Sequence, residues 1–327
     1  MSLLISLLIA AASEPIDLVF RGVCDGSTAI ATPSGRVLLA YDEDRSLYLF
    51  GSDGGAPLGQ HDLSEALGLP GSRELDLEGS VAIGAAAWWV GSHGNNRDGE
   101  HRPARHVLFS TTLPSRDDLS DLELTRAPVN LSSALKKSRD VGLDAEVLSR
   151  APKRGGLNIE GLDAHPDGGL LLGLRSPLSA ADGMTGEAAI ARLVAKTKKS
   201  GVVYKVKGVD WLDLGDRGVR SLVRDGDRWL VLAGPVPKGG RFAIYSWDGV
   251  SAPVDLGISL AGLNPEALLP LGGGRWLVIS DDGAVRRIDA ESAEDDGLSE
   301  CKDIRRHNPQ GAAHPSVYAR ARVLRLE

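Results

Sequence analysis

The chain of 327 residues has room for one large domain or two ordinary ones, and 42% apolar with 25% charged residues is globular composition, neither disordered nor polytopic-membrane. Lys+Arg 37 against Asp+Glu 44 leaves a net charge of −7, which argues against a nucleic-acid surface because phosphate neutralisation needs a basic face. Gly 40, with only 5% aromatic residues and no collagen period, points to many tight turns between short strands.

In chain order, residues 1–12 (Met1 to Ala12) form a short apolar run ending in an Ala-x-Ala pattern before Ser13-Glu14-Pro15. This reads as a secretory signal peptide, too short to span a bilayer as a helix, although no Lys or Arg precedes it. The expectation is a periplasmic or secreted protein whose mature chain has no integral membrane segment. Residues 13–327 are read as a single domain. Cys24 comes next, and Cys301 near the other end is its only companion. No CxxC or Cys/His spacing occurs, so a finger-type zinc site is excluded. In an oxidising compartment the two would close one very long loop as a disulfide; otherwise they are two buried thiols.

A repeat then begins. Asp25-Gly26-Ser27 precedes the apolar run Val37 to Tyr41; Asp76-Leu77-Glu78-Gly79 precedes Ala87 to Gly91; Asn158-Ile159-Glu160-Gly161 precedes Leu170 to Leu174. Gly218-Val219-Arg220-Ser221 precedes Trp229 to Leu232, and Asn264-Pro265-Glu266-Ala267 precedes Trp276 to Ile279. Each copy is a polar triplet, a strand, a Gly- or Asp-containing turn and an apolar strand, which is a β-hairpin unit. Further strand-like runs at Ser46–Phe50, His106–Ser110, Phe242–Trp247 and Ala284–Ile288 extend the units into meanders of three or four strands. Meanders repeated around an axis make an all-β propeller. Blades of about 40–45 residues would allow six or seven, but the motif counts five.

The widest interval, between the second and third copies, holds Asn130 to Arg150 and predicts a helical insertion at about 130–150. Ser64 to Leu67 predicts a shorter helical turn, and Lys196-Thr197-Lys198-Lys199 a solvated turn. Val317 to Leu324 alternates and would close the last blade, with Asp17 to Phe20 as a partner strand that brings Cys24 near Cys301.

These motifs resemble a known family. Asp76-Leu77-Glu78-Gly79 with Val90-Gly91-Ser92-His93, Arg102 and Arg105 is similar to the bacterial domain-of-unknown-function family numbered 3616. The similarity extends to Asn158-Ile159-Glu160-Gly161-Leu162 with Gly173 to Pro177, and to Val219-Arg220-Ser221-Leu222 with Leu232 to Pro235. It spans roughly Cys24 to Leu326 and implies a propeller-like β fold without an established activity. The Glu-Gly-Leu element also resembles phytase-like and esterase-like propellers. Gly218 departs from the pattern, standing where the other copies carry Asp or Asn.

An antiparallel second strand returns beside the start of the first, so each polar triplet should share one face with the residues after the second strand. Asp25, Asp76, Asn158 and Asn264 would form one tier around a channel mouth; Ser27, Glu78, Glu160, Arg220 and Glu266 would form a second. Asp42, Asp44, Ser92, His93, Arg175, Asp281 and Asp282 would join from the strand-two ends. Three glutamates at equivalent positions in one ring need compensation by Arg175 and Arg220, by a cation or by protons.

Three readings stay open. The ring is a structural lattice of Glu–Arg pairs; or Asp76, Glu78, Asn158, Glu160, Asn264 and Glu266 ligate a hard cation, Ca²⁺ or Mg²⁺. In the third, Glu160 or Glu78 is a general base, with Arg175 and Arg220 holding a phosphate or carboxylate. His93, His101 and His106 crowd one loop, and His93 is the candidate acid; no HExxH supports zinc. Asp42-Glu43-Asp44 fails as an EF-hand because Leu47 takes the glycine position. No G-x-S-x-G elbow, P-loop or G-x-G-x-x-G occurs, so no nucleotide cofactor is indicated. The expected function is binding of a small ligand or divalent cation at an acidic channel mouth. The alternatives are metal-assisted hydrolysis of phosphate or carboxylic esters, and a platform for a protein partner.

Overall fold

Apolar runs of four to nine residues separated by glycine turns cannot bury both faces alone, and here each hairpin packs between two others. The computed structural model describes residues 16–326 apart from 42, 70–73, 128–129, 199–200, 238, 290–295 and 309. The expected signal peptide and Asp42 lie outside the described residues.

After β1 (Ile16–Arg21), the first blade is β2 (Thr28–Ala31), β3 (Val37–Ala40), β4 (Ser46–Gly51) and β5 (Gly54–Asp62). The second is β6 (Leu77–Ile83), β7 (Ala86–Gly91), β8 (Leu108–Thr112) and β9 (Leu124–Arg126). The helices α1 (Leu131–Lys136) and α2 (Ala145–Ser149) intervene. The third blade is β10 (Asn158–Ala164), β11 (Leu170–Leu178), β12 (Ala188–Lys198) and β13 (Gly201–Leu212). The fourth is β14 (Arg217–Asp225), β15 (Arg228–Pro235), β16 (Ala243–Trp247) and β17 (Val254–Asp255). The fifth starts with β18 (Pro265–Gly272) and β19 (Arg275–Ser280). A small hairpin, β20 (Arg286–Ile288) with β21 (Leu298–Glu300), and α3 (Cys301–His307) follow before β22 (Tyr318–Arg325).

The fold is a β-propeller. The inner strands β2, β6, β10, β14 and β18 contact one another in succession and close the ring from β18 back to β2. Strands buried on both faces alternate their side chains between neighbouring blades. Leu38 packs with Trp89 and Phe109 between the first two blades, whereas Leu39 packs with Leu277 and Ile279 against the fifth. Leu172 faces Val90 of the second blade and Leu171 faces Val231 of the fourth; Leu230 and Leu232 meet Trp276 and Val278 of the fifth. Trp89, Trp229, Trp247 and Trp276 are all buried in these cores.

The fifth blade is completed by both chain ends, in the order β18-β19-β22-β1. β22 pairs antiparallel with β19 and with β1, where Asp17 faces Arg322 and Phe20 faces Ala319. This corrects the assignment of Ala284–Ile288 as a blade strand: β20 pairs only with β21, because the edge of β19 is taken by β22. A disulfide joins Cys24, before β2, to Cys301 at the start of α3, across a separation of 277 residues, with both sulfurs buried. No helix among the described residues is long and apolar enough to cross a membrane.

Ser64 to Leu67 makes one helical turn, closed by Leu67 N–H to Leu63 O at 3.0 Å. One local expectation changes: Lys196 to Lys198 are not a turn but continue β12, which with β13 makes a hairpin extending past its blade. The 130–150 insertion buries Leu131 and Leu135 in the core between the second and third blades. Its caps are legible locally, since Asn130 Oδ1 accepts from Ser133 N–H and Asp144 Oδ1 from Val147 N–H, both at 2.8 Å.

Candidate functional site at the channel mouth

Four of the five inner strands share one device. β6 pairs Leu77 with Gly91 and Gly79 with Val90, leaving Glu78 as an extra residue. The same slip skips Glu160 between Ile159 and Gly161, Arg220 between Val219 and Ser221, and Glu266 between Pro265 and Ala267. On β11, Arg175 is skipped as well, between Leu174 and Ser176. A β-bulge re-aims the unpaired side chain, and here it delivers charged residues from four of the blades to the same place. The residue after each bulge is small because neighbouring inner strands press close. A Cβ on Gly79 would sit 2.9 Å from Leu162 Cβ, and one on Gly161 3.1 Å from Gly173 Cα. In the first blade Ser27 takes the equivalent place, its Oγ 2.6 Å from Leu77 O and 3.1 Å from Ala40 O.

The bulged side chains meet. Arg220 Nη1 donates to Glu160 Oε2 at 3.1 Å and to Glu266 Oε1 at 2.5 Å. The other oxygen of Glu160 accepts from Arg175 Nη1 at 2.9 Å and from Asn158 Nδ2 at 2.6 Å. The free edges of both guanidiniums donate to backbone carbonyls, Arg220 Nη2 to Pro235 O and Arg175 Nη2 to Val236 O, each at 3.2 Å. Arg220, Glu160 and Glu78 are all buried, and carboxylate oxygens of Glu78, Glu160 and Glu266 lie within 4.8 Å of one another. Because Asn158 Nδ2 donates to Glu160, its Oδ1 is turned elsewhere, and this buried atom accepts no hydrogen bond among the described residues. Burial, together with Glu160 and Asp281, raises the Glu266 carboxyl to about 8 against the pull of Arg220.

Above this floor opens a cavity of 410 Å³. It is lined by Asp76, Glu78, Asn158, Glu266 and Asp281 together with Arg97, Arg105, Lys153, Arg154 and Arg175. Asp76 has a left-handed backbone, φ 52°, and accepts from Ser92 Oγ and from Arg105, which also pairs with Glu74. Burial raises its carboxyl, with Arg105 and Ser92 pulling it back.

Glu78, Glu160, Arg220, Arg175 and Glu266 therefore converge, and Asp76 and Asn158 line the same cavity. Asn264 does not join them: it is exposed on a neighbouring groove, its Nδ2 donating to Asp281 O at 3.2 Å. Its backbone N–H donates to Ser280 Oγ at 2.9 Å, so local bonds to the end of β19 hold it there, apart from Glu266. His93 is not among the cavity-lining residues. Its Nδ1 lies 2.9 Å from Gly91 O, its ring packs on His106, and burial pushes its imidazole down to about 3. A proton donor is therefore wrongly placed there. Asp44 and Asp282 are also structural: Asp44 accepts from Tyr48 and Arg305, and Asp282 from Arg287 and Arg320. Glu160, holding three donors, is a poor general base.

The sequence reading missed Arg97, Lys153 and Arg154 as site residues. Their signal is that they sit on loops the blades do not need. Gly218, by contrast, gains a reason: a Cβ there would stand 1.9 Å from Arg175 O, so the backbone that carries Arg175 forbids the Asp or Asn of the other copies. Gly218→Ala should cost about 1–3 kcal/mol or more by overpacking, measured by urea denaturation. An effect below about 0.5 kcal/mol would contradict this close approach.

A family model described as protein of unknown function (DUF3616) matches residues 110–275. No curated protein matches the chain at the sequence level. Among solved structures, glutaminyl cyclase of Myxococcus xanthus is similar at 10% identity and TM-score 0.43, over 80% of this chain and 88% of that one. A luciferin-regenerating enzyme is similar at 8% identity and TM-score 0.46, over 95% and 96%. Virginiamycin B lyase of Staphylococcus aureus follows at 8% identity and TM-score 0.41, over 96% and 99%. The closed ring of blades, not these likenesses, establishes the architecture.

Proposed function

We propose that this chain, which belongs to the DUF3616 family of proteins of unknown function, binds a divalent cation, Ca²⁺ or Mg²⁺, at the channel mouth. The observation that carries the reading is the convergence of Glu78, Glu160 and Glu266 oxygens within 4.8 Å, on a cavity also lined by Asn158, whose buried Oδ1 accepts no hydrogen bond among the described residues. Carboxylate and amide oxygens are hard ligands suited to these ions. The charge balance supports it too. The floor sets the carboxylates of Glu78, Glu160 and Glu266 against the guanidiniums of Arg175 and Arg220, and burial holds the Glu266 carboxyl above its ordinary value, to about 8, a shift that a cation would reverse. A purely structural lattice would leave Asn158 Oδ1 without a purpose.

Elemental analysis of dialysed protein and thermal melts in EDTA, Ca²⁺ and Mg²⁺ test the site. One ion per chain and a raised melting temperature are expected, with Glu78→Gln and Glu266→Gln weakening binding at least tenfold. Absence of both bound ion and melting shift would defeat the reading. Binding must also tighten as pH rises from 6.5 to 8.5, since the ion displaces the Glu266 proton, and Glu266→Gln should flatten that dependence.

The location follows from the same proposal. A buried disulfide belongs to an oxidising compartment, which supports export to the periplasm or beyond. Two titratable thiols in denatured, unreduced protein recovered from that compartment would remove this support.

A further inference from the structure

The cavity at the mouth is lined by carboxylates and by cationic side chains, and the cation reading accounts for only the carboxylates. Apart from Arg175, the cationic groups come from segments outside the blades. The loop between β7 and β8 supplies Arg97 and Arg105, and the turn Pro152–Arg154 at the end of the helical insertion supplies Lys153 and Arg154. These segments lock together. Arg154 Nη2 donates to Arg97 O at 2.9 Å, and Asn95 Nδ2 to Leu148 O at 2.8 Å. A Cβ on Gly94 would stand 2.8 Å from Pro152 Cγ, so the loop and the turn touch where only glycine fits. The rim is thus held in place rather than being a scatter of surface charge.

Arg105 is paired with Glu74 and Asp76, but two other rim cations are poorly compensated. Arg154 forms no ion pair among the described residues, and Arg97 has only its neighbour Asp98, at 3.6 Å, with both side chains mostly exposed. Arginine is the side chain suited to two-point recognition of carboxylate and phosphate. An anion drawn to this rim alone would share the cavity with the carboxylates of Asp76, Glu78, Glu266 and Asp281. A cation held by Glu78, Glu160 and Glu266 would offset that charge and leave the anion to Arg97 and Arg154.

We infer that the mouth takes a small organic anion, a carboxylate or a phosphate monoester, seated between the bound cation and the Arg97–Arg154 rim. The inference rests on the cation reading and names the ligand class for the same site. The 410 Å³ cavity is in the range for a small molecule.

Calorimetric titration of Ca²⁺-loaded protein with phenyl phosphate, benzoate and neutral benzyl alcohol tests it, the first two separating phosphate from carboxylate. One or both anions should bind, and benzyl alcohol should not. Arg154→Glu and Arg97→Glu, both at the rim, should weaken anion binding at least tenfold while leaving Ca²⁺ stoichiometry unchanged. Glu78→Gln should weaken binding of both ligands together. Equal binding of the neutral compound, anion affinity untouched by both reversals, or anion binding that is the same without Ca²⁺ in protein shown to bind it, would overturn the inference. Absence of bound ion and of a melting shift defeats the cation reading separately.

Discussion

Replacing Arg220 with leucine should destabilise the protein by about 3–5 kcal/mol at pH 7, the usual result of removing one partner from a buried charge pair. Arg220 is 4% exposed and donates to both Glu160 and Glu266, so its loss leaves two carboxylates in the ring with a single guanidinium, Arg175, on one of them. The leucine fills part of the volume, which makes the deficit electrostatic rather than a cavity. Its pH dependence follows. Without the Arg220 guanidinium that pulls it down, the Glu266 carboxyl rises further above its unfolded value, so the folded protein binds more protons than the unfolded one. The deficit should therefore shrink as pH falls from 7 toward 5, and Arg220→Leu with Glu266→Gln should recover part of it at pH 7. Urea denaturation at both pH values measures this. A loss under about 1 kcal/mol, or one independent of pH, would mean that the ring charges are compensated by something other than Arg220.

Removing the disulfide through the paired change Cys24→Ala, Cys301→Ala should cost roughly 5 kcal/mol, the chain-entropy value for so long a loop, although measured bridges often give less. The bond secures the junction where the first and last blades meet. Cys24 and Cys301 sit in one core with Phe20, Leu39, Ile279 and Ala319, so the bridge holds both chain ends against a shared apolar surface. Beyond global stability, the loss should appear first as faster amide exchange in β1 and β22, which complete the fifth blade. Uniform acceleration across all five blades would indicate instead that the ring opens as one unit.

The two changes probe different halves of what keeps the site in shape. Inter-blade apolar cores hold the ring closed whatever the mouth contains. The mouth spends some of that stability on three buried glutamates, only partly offset by arginines. A cation that relieves Glu266 would return part of it, which is why metal binding and melting temperature are coupled in the proposed test.

Much of this protein is readable from local chemistry. Strand and turn positions follow from apolar runs such as Leu170–Leu174 and Trp276–Ile279, bounded by glycine turns. The five-fold count follows from the repeated triplet. The closing role of Val317–Leu324 follows from its alternation, and even the insertion's caps, Asn130 and Asp144, are visible as residue types. The convergence of Glu78, Glu160, Arg220 and Glu266 on one ring position also follows from repeat equivalence, because equivalent residues of symmetric units must surround the axis.

What the tertiary structure decided is everything that depends on register and on approach between distant segments. The bulges that skip Glu78, Glu160, Arg220 and Glu266 have no local signature, and Asn264 turns to Asp281 O instead of the ring that strict alternation assigned to it. The choice of β22 over Ala284–Ile288 as third strand of the last blade is a competition for one edge, settled by packing around Ala319 and Ala321. His93 turns to His106 through a local carbonyl bond, and the basic rim forms because an inserted turn lands on a loop some 55 residues earlier, at Arg154 and Arg97. Composition and periodicity determine which residues a chain can bury and where it can turn. Pairing register and contact between remote segments depend on the summed packing of the whole ring, and no window of sequence contains that sum.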